Sequence, residues 1–221
     1  MKNTVGQDTA LKIMNAAEVL FVEYGFAGTS MRMITEQAQV NLAAVNYHFG
    51  SKESLYQAVY DRRLQRFCEI ALYHLDQVEA TSPMPAVAAI VQAFLQAGLD
   101  MCAESEAGGF AFVRLLSRTF AESQRQLRQM RRVEYQVMAT RYAEALKLAL
   151  PQLGEVEILW RLHFLVTATF NAFAGNDVMR FFANHTVVNA RDPYIVAKYL
   201  LPYLVAGVQA QASKPREDQP A

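Results

Sequence analysis

Apolar residues recur at three- and four-residue steps along almost the whole chain. No stretch shows the sustained alternation and β-branched enrichment of a strand. A chain patterned this way buries its apolar faces by packing helix on helix, so the expected fold class is all-α. Breaks are expected at Gly25, Gln39-Val40, Gly50, Thr81-Ser82-Pro83, Ala107-Gly108-Gly109, Pro151 to Gly154 and Asn184 to Pro193. They divide the chain into about nine helices.

The first helix is expected from about Asp8 to Tyr24, with Leu11, Met14, Ala17, Leu20, Phe21 and Tyr24 on one apolar stripe and Gly25 stopping it. Thr29-Ser30 caps a second helix that reaches Ala38. Asn41 caps a brief third helix that carries Leu42, Val45 and Phe49 inward and ends at Gly50. Ser51 caps a long fourth helix reaching about Ala80, with Glu53 and Ser54 in its first turn. Longer, more apolar helices are expected over 84–104, 110–119, 121–150, 155–175 and 192–211, with a short one over 177–184. The expected division is an N-terminal helical unit over 8–52, a larger helical unit over 53–211, and a disordered tail over 212–221.

Composition narrows the function classes. Of 221 residues 52% are hydrophobic and 19% charged, which supplies a core and excludes a disordered chain. No apolar run is long enough to cross a bilayer, and the polar N-terminus lacks a signal-peptide core, so no membrane partner is expected and the cytoplasm is the expected compartment. The two cysteines, Cys68 and Cys102, lack metal or redox spacing. Four scattered histidines, and the absence of a Ser-His-Asp ordering, a metal-ligand cluster or a glycine-rich phosphate loop, argue against an enzyme and against a cofactor. Net charge is zero, and within 1–52 Lys2, Lys12, Arg32 and Lys52 are matched by Asp8, Glu18, Glu23 and Glu36. Nucleic-acid binding then has to come from a few placed donors rather than a general positive field.

Residues 29–53 supply such a placement. Two short helices separated by a tight turn, after a scaffold helix, form a helix-turn-helix, whose second helix inserts into a major groove. Asn41, Ala43, Ala44, Asn46, Tyr47 and His48 are the small or hydrogen-bonding residues on its exposed face. Thr29-Ser30-Met31-Arg32-Met33-Ile34, followed by Val45-Asn46-Tyr47-His48-Phe49-Gly50-Ser51-Lys52-Glu53-Ser54-Leu55, strongly resembles the TetR family of regulators. Asn46 replaces the aromatic residue more common there.

The resemblance implies that Tyr47 and His48 bond phosphates at the groove rim, that Thr29 or Ser30 offers further donors, and that Lys52 clamps a phosphate with backbone N–H groups. Arg32 is placed to reach phosphate or a guanine edge, and Asn46 to pair bidentately with adenine. Each residue has a structural alternative: Tyr47 packing on the scaffold, His48 bonding a carbonyl, Lys52 as a solvated charge.

Phe112-Val113-Arg114-Leu115-Leu116 and Trp160-Arg161-Leu162-His163-Phe164, together with the block over 40–52, are similar to the fatty-acid-responsive PsrA-type subgroup. That similarity implies a hydrophobic, long-chain acyl effector. Arg114, Arg118 and Arg161 are candidate partners for its anionic head group and Phe164 is a candidate wall residue. The alternative for the arginines is pairing with internal carboxylates such as Glu122 or Glu157, or snorkelling to solvent. The helices over 155–175 and 192–211 are apolar on wide faces, with Leu159, Leu162, Val166, Phe170, Tyr199, Tyr203 and Val208 as examples. The resemblance implies that two copies pack these helices into a homodimer, which presents two recognition helices to a pseudo-palindromic double-stranded DNA operator. The competing reading is a helical small-molecule carrier or enzyme without DNA binding.

Overall fold

The structure, a computed structural model, describes residues 2–104, 113, 133–174, 189 and 191–212, with side chains from residue 7 onward. Among the described residues there are eight α-helices and no strand: α1 (Lys2–Gly28), α2 (Met31–Ala38), α3 (Leu42–Phe49), α4 (Lys52–Thr81), α5 (Val87–Ala103), α6 (Val133–Ala149), α7 (Glu155–Phe173) and α8 (Pro193–Gln209). Apart from Val113, which is helical and buried, the expected helices over 110–119 and 177–184, and the tail from 213, lie outside the described residues.

Side chains and glycines set the ends of the first helices. Gly25, at φ 74° and ψ 174°, breaks α1 into two helical pieces, a conformation that a Cβ would strain. The Ser30 hydroxyl accepts from Met33 N–H, the Asn41 Oδ1 from Ala44 N–H, and the Ser51 hydroxyl from Ser54 N–H. Each satisfies one first-turn amide that has no partner inside its own helix. Gly50, at φ 73°, closes α3 by donating to the Asn46 carbonyl. The turn between α2 and α3 runs through Gln39 in the left-handed region at φ 55°, with Val40 N–H returning to the Thr35 carbonyl.

α1 buries Ile13, Ala16, Ala17, Leu20 and Phe21. Leu11 and Tyr24, expected on that stripe, are half exposed, so the buried face is narrower than the apolar pattern. α4, about 45 Å long at the α-helical rise, belongs to two packing layers. Its first half sets Leu55, Tyr56, Val59 and Tyr60 in the core beside α1, where the Tyr56 ring meets Phe21 and Phe26 edge-on. Its second half packs on α5 and α6. There Phe67, Phe94 and Phe170 form an aromatic cluster with Tyr142, whose buried hydroxyl donates to the Ala71 carbonyl and joins α6 to α4.

α5 crosses α7 closely at Gly98, where an added Cβ would stand 2.6 Å from the Phe173 ring. α8 begins at Pro193 behind an Asp192 cap and continues through Pro202, an interior proline that forgoes one intrahelical bond. Of the residues expected on a dimer face, Leu162, Val166, Phe170 and Val208 are instead core residues of the single chain. Leu159, Tyr199 and Tyr203 are exposed, joined by Val156, Trp160, Phe164 and Tyr194.

Candidate DNA-reading site

α2 and α3 stand on α1 and the start of α4, anchored by Ile34, Ala38, Val45 and the partly buried Phe49. Leu42, expected to point inward, is half exposed. The outward side of α3 carries exposed Ala43, Asn46 and Tyr47 and the half-buried Ala44 and His48. Tyr47 is 86% exposed, and its ring meets that of His48 edge-on at 5.1 Å. An aromatic side chain held so far into solvent contributes nothing to the core, and its hydroxyl is free to meet a ligand such as a phosphate oxygen. Ser30 and Asn41 are both exposed, and both spend a side-chain oxygen on capping; Asn41 keeps its amide N–H groups as donors. Arg32 is exposed and paired with Glu36 at 3.0 Å one turn along α2. An exposed pair of this kind is weak enough to be exchanged for a phosphate.

Two of the predicted phosphate contacts also bond within the chain. Thr29 is buried, and its hydroxyl lies 3.0 Å from the Leu20 carbonyl and 2.8 Å from the Gly25 carbonyl. Its one proton is committed to the broken end of α1, where the hydroxyl acts as a structural staple. Lys52 Nζ donates to the Phe26 carbonyl at 2.9 Å and the Thr29 carbonyl at 3.0 Å, and lies 4.3 Å from the centre of the Phe26 ring. The ammonium thus ties the start of α4 to the α1–α2 turn.

Two of the four predicted effector residues line one groove, and the other two cannot be placed. Arg114 and Arg118 lie outside the described residues. Arg161 is 6% exposed and pairs with Glu157 at 2.9 Å. It also donates to the carbonyls of Val208, Ala210 and Gln211 at the end of α8. Its donors hold α7 to α8, in line with the internal carboxylate pairing named as the alternative for this residue. Phe164 is 58% exposed and stacks on Trp160. Phe164 and Arg161 both line an open groove of about 830 Å³ between α7 and α8, with Leu165, Phe170, Tyr203 and Leu204. Among the described residues no group of His, Cys, Asp and Glu could hold a metal, and no helix is long and apolar enough to cross a membrane.

Sequence reasoning missed a buried charged group between α1 and α4. Glu18 of α1 is completely buried and paired with Arg62 and Arg63 of α4. The available signal was an acid flanked by Ala17 and Val19, with two adjacent arginines 44 and 45 positions on.

The family model for bacterial regulatory proteins of the tetR family matches residues 13–59, and that for the tetracyclin repressor-like C-terminal domain matches residues 92–207. The HTH-type transcriptional regulator UidR of Escherichia coli (strain K12) is 39% identical over 70 residues, covering 30% of this chain and 36% of UidR. The dual regulator CecR of Shigella flexneri is 36% identical over 98 residues, covering 43% of this chain and 44% of CecR. The matched part is thus under half the length of these relatives. Among solved structures, Salmonella enterica GusR superposes with a TM-score of 0.58 at 20% identity, covering 91% of this chain and 95% of GusR. A TetR-family transcriptional regulator from Agrobacterium tumefaciens gives 0.58 at 15%, covering 90% and 97%. At such identities the likeness is one of fold.

Proposed function

The chain belongs to the TetR family of DNA-binding transcriptional regulators, and on that premise we propose that it is a cytoplasmic, homodimeric repressor released from a pseudo-palindromic operator by a hydrophobic small molecule of the fatty-acid or acyl class. Residues 8–52 act as the reading head and 53–211 as the ligand-binding and dimerisation body. The single observation that carries the DNA-reading part is the exposed Asn46-Tyr47 pair on a capped, two-turn helix held by a buried scaffold. Tyr47, His48, Ser30 and Arg32 position the head on phosphates, and Asn46 reads a base edge.

One such helix reads a half-site, so two copies are needed for a full operator. Support for the pairing surface comes from the aromatic exposures on α7 and α8: Trp160 stacked on Phe164, with Tyr199 and Tyr203. Large apolar side chains in contact and open to water favour burial by a partner. The groove with Phe164 and Tyr203 in its lining belongs to this same pairing face, so the apolar effector is supported by the blocks Phe112-Val113-Arg114-Leu115-Leu116 and Trp160-Arg161-Leu162-His163-Phe164, which are similar to those of acyl-responsive regulators. Effector binding shifts the operator equilibrium only if it favours a conformation whose heads no longer match successive major grooves.

Fluorescence anisotropy with DNA from the chain's own promoter tests the reading, first without additions and then with oleate. We expect binding that weakens steeply with salt and is reversed by oleate. A folded dimer that binds no such DNA contradicts the repressor reading, and operator binding indifferent to oleate contradicts the acyl effector.

A further inference from the structure

Charged side chains run unbroken from the reading head to the end of α5. The buried Glu18 carboxylate of α1 accepts from Arg63 Nε at 2.7 Å and from Arg62 Nη2 at 2.6 Å, and Arg62 also donates to Asn15 Oδ1 at 2.8 Å. On its other side Arg63, itself 6% exposed, approaches Glu104 Oε2 with Nη1 at 3.5 Å. Arg66 Nε donates to Glu104 Oε1 at 2.8 Å. Glu104 is the residue that closes α5, its N–H bonded to the Asp100 carbonyl. Glu18 lies within the segment matched to the DNA-binding family model, and Glu104 within the segment matched to the C-terminal one.

The geometry points to Arg63 as a positioning residue: shared between Glu18 and Glu104, it sets the angle at which α1, and with it α2 and α3, sits on α4, and it transmits displacement of the end of α5 to the reading head. The inference rests on the chain's role as a DNA-binding regulator and is independent of the effector's identity. A guanidinium is planar and rigid, with donors in a fixed fork. It cannot follow a carboxylate that moves away on one side without altering its bonds on the other. Glu18 has no exposed surface and cannot exchange the lost bond for water. The remaining freedom is for α1 to shift against α4. Buried ion pairs add little net stability over apolar packing, whereas removing one partner leaves an uncompensated charge; their best use is to select one arrangement.

The experiment compares the full-length chain with Glu104→Gln, Arg63→Lys, Glu18→Gln and the Glu18→Gln/Glu104→Gln pair. Hydrogen exchange of the α1 amides over residues 13–21 needs neither operator nor effector. Binding to operators lengthened or shortened by one base pair between half-sites reads the angle of the heads. Glu104→Gln should raise α1 exchange about tenfold, leave α6 exchange unchanged, and flatten the preference for one half-site spacing. Arg63→Lys, which keeps the charge but loses the fork, should behave alike, and the double variant should exchange no faster than Glu18→Gln alone. Unchanged α1 exchange in Glu104→Gln, or additive effects in the double variant, would overturn the proposal. The Glu104 side chain is 30% exposed, so its substitution tests the idea even if Arg63→Lys does not fold.

Discussion

Lys52→Met separates two roles that the same residue could hold. Its ammonium donates to two carbonyls, of Phe26 and Thr29, and stands over the Phe26 ring. A hydrogen bond to a charged group contributes about 1.5–3 kcal/mol, and a cation over an aromatic face ~0.5–1 kcal/mol where solvent reaches it. One half-buried ammonium serves all three contacts, so the contributions do not simply add, and about 2 kcal/mol is the working figure. For a chain of this size that lowers the thermal midpoint by about 4–8 °C. Each neutralised phosphate contributes about 0.9 to the slope of log affinity against log salt, so a phosphate clamp present in both copies of a dimer would account for about 1.8 of that slope. The assay is a thermal melt together with operator affinity over a range of salt concentrations. The structure predicts the lower midpoint with an unchanged slope. An unchanged midpoint with a slope shallower by about 1.8 would refute the tether and restore the clamp.

Other substitutions test other parts of the account. Gly98→Ala places a Cβ against the Phe173 ring; overpacking of about 1–3 kcal/mol outweighs a helix-propensity gain of about 1 kcal/mol, so the midpoint should fall by a few degrees, and a rise would mean that the ring yields. Tyr47→Ala should weaken all DNA sequences alike, whereas Asn46→Ala should cost about 1–3 kcal/mol on the preferred operator only; equal losses on all sequences for Asn46→Ala would remove it from base reading. Burial pushes the Cys68 thiol from 9.0 up to about 12, so the folded chain keeps a proton that the unfolded chain releases. Stability should therefore fall as pH rises from 9 towards 12, and alkaline melts of Cys68→Ala should show a smaller fall than those of the unsubstituted chain.

What was legible in the sequence was local. Ser30, Asn41, Ser51 and Gly50 mark helix ends because a cap and its amide lie within a few residues of each other. The long α4 was readable for the same reason. The tethering roles of Thr29 and Lys52 were not legible, because their acceptors are backbone carbonyls, of Leu20, Gly25, Phe26 and Thr29, which no side-chain pattern announces. Arg161 was equally opaque, since three of its partners are carbonyls at the end of another helix. The sides of α7 were confused because it is apolar nearly all round: Leu162, Val166 and Phe170 fill the chain's own core, while Leu159, Trp160 and Phe164 stand outside it. Periodicity gives the face of such a helix only when a polar face opposes it.

The central claim is that α3 of two symmetry-related copies reads an operator through residues around Asn46 and Tyr47. Selection of bound duplexes from a random double-stranded DNA pool by the full-length chain tests it most directly. The account predicts an enriched inverted repeat whose half-site centres lie about 34–36 Å apart, or a multiple of that spacing, and a changed half-site sequence when the selection is repeated with Asn46→Ala. A folded chain that enriches no sequence, or one that lacks two-fold symmetry, would contradict it.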